Sequence, residues 1–235
     1  GRKETSDMQI DKIITDYVSA IDTDYAIMID GEWGAGKSWY WENVLTGLIK
    51  SLPTKDNTEE KPSYYNVARI SLFGICSVDD LRLKIFEETN RFFANKKVKT
   101  GAKLAGVFAN KVAGIFNVSE TNAKELSNIL EVFSVNLNHY VLCFDDLERI
   151  KPSLLVELLG YINTLVEQDK VKVVFICNDS ELKHLDYRKY KEKIVRFTHT
   201  IKADIAKMVV EFASGRNEDY SNYLIKRKVF IASVF

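Results

Sequence analysis

The chain has 235 residues, of which 33 are basic and 33 acidic, and 46% are hydrophobic. That length suits one sizeable core, and a formal charge of zero removes any global field that would draw the chain to nucleic acid or anionic lipid. Three cysteines, Cys76, Cys143 and Cys177, are an odd number without metal-ligand spacing, so they read as small apolar fillers in a reducing compartment. No charged-then-apolar leader opens the sequence and no run of about 18 apolar residues interrupts it, so a cytoplasmic location without a spanning helix is expected.

In chain order, Ser6 and Gln9 form a capping box before Ile10, Ile13, Ile14, Tyr17, Val18 and Ile21, which recur at helical spacing along one stripe. The apolar run Tyr25–Ile29 reads as a buried strand. It leads into Gly31-Glu32-Trp33-Gly34-Ala35-Gly36-Lys37-Ser38, which fits the phosphate-binding pattern G-x-x-x-x-G-K-[ST]. A loop that wraps a polyphosphate must aim several backbone N–H groups inward, and glycines permit the required conformations and close approach. The helix expected over residues 37–50 brings its positive dipole end to the same place. Lys37 is assigned to the β- and γ-phosphates, and Ser38 to the Mg²⁺ that bridges them. The candidate nucleotide-binding set runs from Gly31 through Ser38 and includes the adjacent Trp39. A nucleoside triphosphate with magnesium is the expected ligand.

Residues 52–63, with Pro53 and Pro62, read as a surface loop; Tyr64–Leu72 reads as a strand, and Ser77 with Asp80 as the cap of a helix through Leu81, Ile85 and Phe92. A helical insertion is expected over about residues 78–136. Within it, Gly101–Phe116 alternates small residues with apolar ones, which permits close helix approach. Lys103, Asn110 and Lys111 interrupt the run, and 16 residues at 1.5 Å each reach only about 24 Å against a bilayer core of about 30 Å. A helix making an oligomer or partner contact is expected, with peripheral membrane contact as the alternative.

Tyr140–Phe144 reads as a strand buried on both faces, with Asp145 and Asp146 at its carboxyl end, where open α/β sheets bind ligands. Phosphate-loop enzymes hold their metal from the far side with such an acid. Asp145 is assigned to magnesium, directly or through water, and Asp146 to the attacking water, although the two roles could be exchanged. A further strand, Val171–Cys177, ends at Asn178, which is the candidate to sense the γ-phosphate or position the attacking water; compatibly with that, Asn178, Asp179 or Ser180, with Glu181 close by, caps the helix that follows. Arg149 and Arg196 are candidate arginine fingers, for this chain or a neighbouring copy, or simply partners of nearby carboxylates. The basic residues at 188–196 and 226–228 are interspersed with acids and read as solvated faces, with nucleic-acid contact as the minority reading. A helix-like stretch, Lys202–Ser214, and an apolar tail, Val229–Phe235, close the chain.

Three segments in order, the tryptophan-bearing phosphate loop at 31–38, Asp145-Asp146-Leu147-Glu148-Arg149, and Tyr190-Lys191-Glu192-Lys193-Ile194-Val195, resemble the KAP family of P-loop NTPases. Glu148 stands where the family usually has Asp, which keeps the charge on a longer arm. The resemblance implies a signal-transducing, AAA-like NTPase that hydrolyses ATP slowly and uses it as a switch. It also implies a link to phage exclusion, membrane-seated relatives, and a helical lid or further domains beyond a chain such as this one. The expectation is one three-layer α/β/α domain over residues 1–235, with a mainly parallel sheet and a helical insertion between the Walker motifs. Its expected activity is ATP binding and hydrolysis as a regulatory switch, acting through a homo-oligomer or an effector protein. Two other classes stay open: a nucleic-acid-stimulated motor or loader, and a module that holds nucleotide without turning it over.

Overall fold

The computed structural model describes residues 4–96, 137–182 and 185–202. The small-residue segment at 101–116 and the stretches expected at 203–214 and 229–235 lie outside the described residues. So do most of the expected insertion and the side chains of the capping box at Ser6 and Gln9.

Five parallel strands form one sheet in the order β2-β3-β4-β1-β5, where β1 is Ala26–Asp30, β2 Asn66–Ser71, β3 Tyr140–Asp145, β4 Lys172–Cys177 and β5 Val195–Thr200. The three inner strands are the most continuously apolar, as burial on both faces requires. The outer strands carry mixed sequences, Asn-Val-Ala-Arg-Ile-Ser and Val-Arg-Phe-Thr-His-Thr, suited to an edge that meets solvent. β5 is a strand the apolar-run criterion passes over, because only Val195 and Phe197 of its six residues are apolar, and Phe197 stays half exposed at this edge.

Side chains alternate between two cores with the period of two that a strand imposes. One face carries Met28, Leu142, Phe144, Val173 and Phe175, packed under α3 (Val78–Lys96), α4 (Pro152–Glu167) and α5 (Leu185–Ile194). The α4 contribution repeats at helical spacing through Leu155, Leu158, Leu159, Ile162 and Val166. Pro152 at its first turn and the extended Lys151 before it start that helix. The opposite face carries Ile27, Ile29, Val141, Cys143, Val174 and Ile176 beneath α1 (Glu4–Ser19) and α2 (residues 37–50). The architecture is three-layer α/β/α, with every strand pair parallel among the described residues.

Two local features depart from the simple periodic reading. The α1 stripe of Ile10, Ile14, Tyr17 and Val18 is buried as expected, but the helix ends at Ser19 and leaves Ile21 67% exposed. The helix after the phosphate loop is regular over Lys37–Tyr40 and Thr46–Lys50, with a π-helical turn at Trp41–Leu45 between them. Among the described residues, no helix is long and apolar enough to cross a membrane.

Lys172 joins α1 to the sheet. It opens β4 at 2% exposure, and its ammonium donates to the carbonyls of Tyr17 (2.9 Å) and Ala20 (2.7 Å) and to the Thr23 hydroxyl (2.8 Å). The carbonyls belong to the end of α1, where unpaired acceptors and the negative dipole end favour a cation. The Tyr17 hydroxyl accepts the Val173 N–H at 2.8 Å, which ties the same helix to β4 a second time.

Burial, with Lys55 nearby, lowers Lys172 from its ordinary 10.5 to about 8 against the pull of Asp22. The unfolded chain therefore holds more proton between those values, and the contribution of Lys172 to stability grows as pH rises through that window. Above pH 10 the buried Tyr17 hydroxyl, whose value is raised chiefly by burial, acts in the opposite direction. Burial also raises the Cys143 and Cys177 thiols, which cost stability as pH rises past about 9, so the Lys172 contribution is read as a difference: from pH 8 to pH 10 the wild type should gain about 2 kcal/mol relative to Lys172→Met in thermal melts. An unchanged slope in the variant would contradict the assignment.

Candidate nucleotide-binding site

Parallel pairing brings the strand tips to one level. Ser71 of β2 pairs with Asp145 of β3, Asp145 with Ile176 of β4, and Asp30 of β1 with both Cys177 of β4 and Thr200 of β5. The helix after β1 lies on one face and the helix after β4 on the other, so the chain reverses its winding between these neighbours, where open α/β sheets form a crevice. Residues 31–38 occupy that place.

Asp30 anchors the start of the loop. Its carboxylate accepts the Asp179 N–H at 2.9 Å and the Thr200 hydroxyl at 3.3 Å, and its carbonyl accepts the Ile201 N–H at 2.8 Å. The Ile201 backbone approaches so closely that a Cβ on Gly31 would lie 2.5 Å from its carbonyl oxygen, which excludes any residue but glycine there. Gly34 and Gly36 hold φ of +81° and +86°, the left-handed conformations that turn the loop back into α2. Lys37 is nearly buried, with its amine donating to the carbonyls of Gly31 at 2.5 Å and Glu32 at 2.9 Å. The cation thus sits inside the curve of the loop. Ala35 is buried, while Glu32, Trp33 and Trp39 face solvent.

The two motifs meet. The Ser38 hydroxyl donates to Asp145 Oδ2 at 3.3 Å across 107 residues of sequence. Asp145 is 6% exposed, and its other oxygen, Oδ1, accepts the Asp146 N–H at 2.8 Å. Arg69 of β2 completes its surroundings: the Arg69 guanidinium donates to Asp145 Oδ2 through Nε at 3.0 Å and through Nη2, and its Nη1 pairs with Glu42 of α2. Burial works against the Arg69 charge, but the Asp145 hydrogen bond and charge more than offset it and raise the guanidinium above its ordinary value. Arg69 is a site residue that the motifs do not name. Its signal was a lone cation inside a strand otherwise apolar on that stretch, a residue type seldom buried without a partner.

Asp146 adopts φ +62°, and both its oxygens are engaged: Oδ2 accepts the Ser71 hydroxyl at 2.7 Å, and Oδ1 pairs with Arg149 Nε at 3.0 Å. The Arg149 guanidinium also lies 5.7 Å from the centre of the Phe73 ring. Arg149 therefore has the local carboxylate partner that was the alternative to a finger role. Arg196 stands elsewhere, beside the Val195–Ala26 pairing at the amino-terminal end of the strands and 4.9 Å over the Tyr25 ring, at the opposite end of the sheet from the phosphate loop of its own chain.

Asn178 follows β4 at 6% exposure. Its side chain does not cap the turn after it; its Oδ1 accepts the Ser180 hydroxyl at 2.7 Å. Asp179 does the linking work, accepting Tyr187 OH and Lys191 Nζ at 2.6 Å each from α5. Lys193 pairs with Glu167 at 3.4 Å, so two lysines of the 190–195 segment serve structure. Glu148 accepts the indole N–H of Trp33 at 3.0 Å, which joins the phosphate loop to the turn after β3.

The sequence pattern of the KAP family P-loop domain matches residues 8–220 of the 235, spanning every strand of this sheet. No curated protein matches the chain. Phosphate loop, acidic strand tip and the strand between them stand in one crevice of an all-parallel sheet, and with that match the chain belongs to the KAP family of P-loop NTPases.

Proposed function

We propose that the chain is a slow ATPase that works as a regulatory switch in bacterial antiphage defence. The observation that carries the hydrolytic part is the approach of Ser38 and Asp145 beside the buried amine of Lys37. The defence and switch parts rest on the family resemblance. A switch needs something to report to, and a second copy or an effector protein is the expected partner.

The donors fit Mg²⁺. A hydroxyl and a carboxylate are hard oxygen ligands, and a sparse protein contribution suits an ion that keeps waters and binds substrate phosphates. Among the described residues no group of three or more His, Cys, Asp or Glu forms a metal cage. Ser38 would hold the ion directly and Asp145 directly or through water. When bound, magnesium supplies charge neutralisation at the β- and γ-phosphates. Lys37 exchanges its two loop carbonyls for phosphate oxygens, the loop N–H groups and the start of α2 bind the remaining charge, and Asn178 reports on the γ-phosphate.

Lys37→Ala should abolish detectable binding of Mg-ATP in calorimetry, while Asp145→Asn should bind nucleotide but release phosphate about 100-fold more slowly. Unchanged binding and turnover in both would refute the reading. Strong stimulation by DNA with a steep salt dependence would favour the motor class instead.

Arg69→Met should lower stability in urea by about 3 kcal/mol, because it leaves the buried Asp145 carboxylate without its cation. Saturating Mg-ATP should restore part of that loss by binding the folded state. A variant as stable as the wild type without nucleotide would show that Arg69 does not hold Asp145.

A further inference from the structure

Glu148 carries an atom whose situation differs from every other described polar side chain. While Oε1 accepts the Trp33 indole N–H, Oε2 is closed off from solvent and has no hydrogen-bond partner. Leaving a buried acceptor in that condition is costly, and more so for a charged group. Such exceptions call for a functional account.

Its neighbours suggest the account. Glu148 lies in the turn after β3, is bound to the third residue of the phosphate loop, and is near enough to the β4 tip for its charge to help burial raise the Cys177 thiol. Three segments of the crevice therefore meet at one carboxylate. Asp146, the acid nearest Asp145 in sequence, has a partner on each oxygen, Ser71 on one and Arg149 on the other. Glu148 has one to spare.

We propose that Glu148, rather than Asp146, orients the attacking water and takes its proton, and that the Trp33 indole holds it aside until nucleotide enters the phosphate loop. This rests on the hydrolytic reading above. In the step, the water oxygen bonds to the γ-phosphorus as the bond to the β–γ bridging oxygen breaks. The bridging oxygen leaves with the electron pair on ADP, and the water proton passes to Glu148 Oε2 and then to solvent. The release is built into the loop. Lys37 donates to the carbonyls of Gly31 and Glu32, immediately before Trp33, so turning its amine to phosphate removes two bonds that fix the tryptophan backbone. Trp33 is 64% exposed, and little packing resists its swing. The motion takes Oε2 out of its closed position to where water can reach it.

The test uses the whole chain, with the Mg-ATP dissociation constant, phosphate release and tryptophan emission measured for wild type, Glu148→Gln, Glu148→Asp, Asp146→Asn and Trp33→Phe. Glutamine keeps an acceptor for the indole but cannot take a proton. Glu148→Gln should bind within about threefold of wild type and turn over about 100-fold or more slowly, Glu148→Asp should recover part of the rate, and Asp146→Asn should lose less than about tenfold. A non-hydrolysable ATP analogue with Mg²⁺ should shift the emission of the wild type, and Trp33→Phe should lack that shift. Turnover in Glu148→Gln within about threefold of an active wild type would overturn the catalytic role, and bound analogue without a Trp33 emission change would overturn the holding role. Absence of phosphate release from the wild type itself would instead refute the hydrolytic reading.

Discussion

Two strands that are not neighbours, β1 and β3, finish at the same level because β4 lies between them and pairs with both. The contact of Ser38 with Asp145 follows from that pairing. A parallel strand fixes the height of its partner residue by residue, so Asp30 and Asp145 are set against Cys177 and Ile176 of the same central strand. The proposed handling of phosphate and cation depends on this common ruler. Side-chain reach then closes the remaining distance.

Charge at the strand tips is compensated locally rather than by the chain as a whole. Asp145 is held by Arg69 and Ser38, Asp179 by Tyr187 and Lys191, and Asp146 by Ser71 and Arg149. Each arrangement draws on a different element, so the carboxylates also stitch the sheet to α2, α5 and the β2 edge. Buried charges that lack such partners are strongly destabilising, which explains why acids at the crevice come with cations or hydroxyls at hand. At the other end of the sheet Lys172 is held by helix-end carbonyls instead of a carboxylate.

Those parts of the molecule that are local in sequence were legible in it. The phosphate loop has fixed spacing because eight consecutive residues do the wrapping, and β1, β3 and β4 stand out because strands buried on both faces are continuously apolar. The edge strand β5 left no such run, since only Val195 and Phe197 of Val-Arg-Phe-Thr-His-Thr are apolar. Ile21 fitted the α1 stripe yet fell beyond its end, as periodicity does not mark where a helix stops. Arg69 with Asp145 and Trp33 with Glu148 are contacts across 76 and 115 residues. No local pattern encodes them, and they exist only once the sheet has ordered its strands.

The π-helical turn at Trp41–Leu45 has a lineage consequence. Such a turn accommodates one residue more than an α-helix would, and it lies between the end that presents Ser38 and the end that seats Ile49 against the sheet. Losing one residue there would regularise the helix and leave its halves oriented as they are, whereas losing one from a regular turn on either side would rotate them by about 100° relative to each other and turn either the hydroxyl or the isoleucine the wrong way. The wide turn is thus the place where this helix can lose a residue, and its exposed side at Glu42 and Asn43 is where it can change one, without disturbing either Ser38 or Ile49.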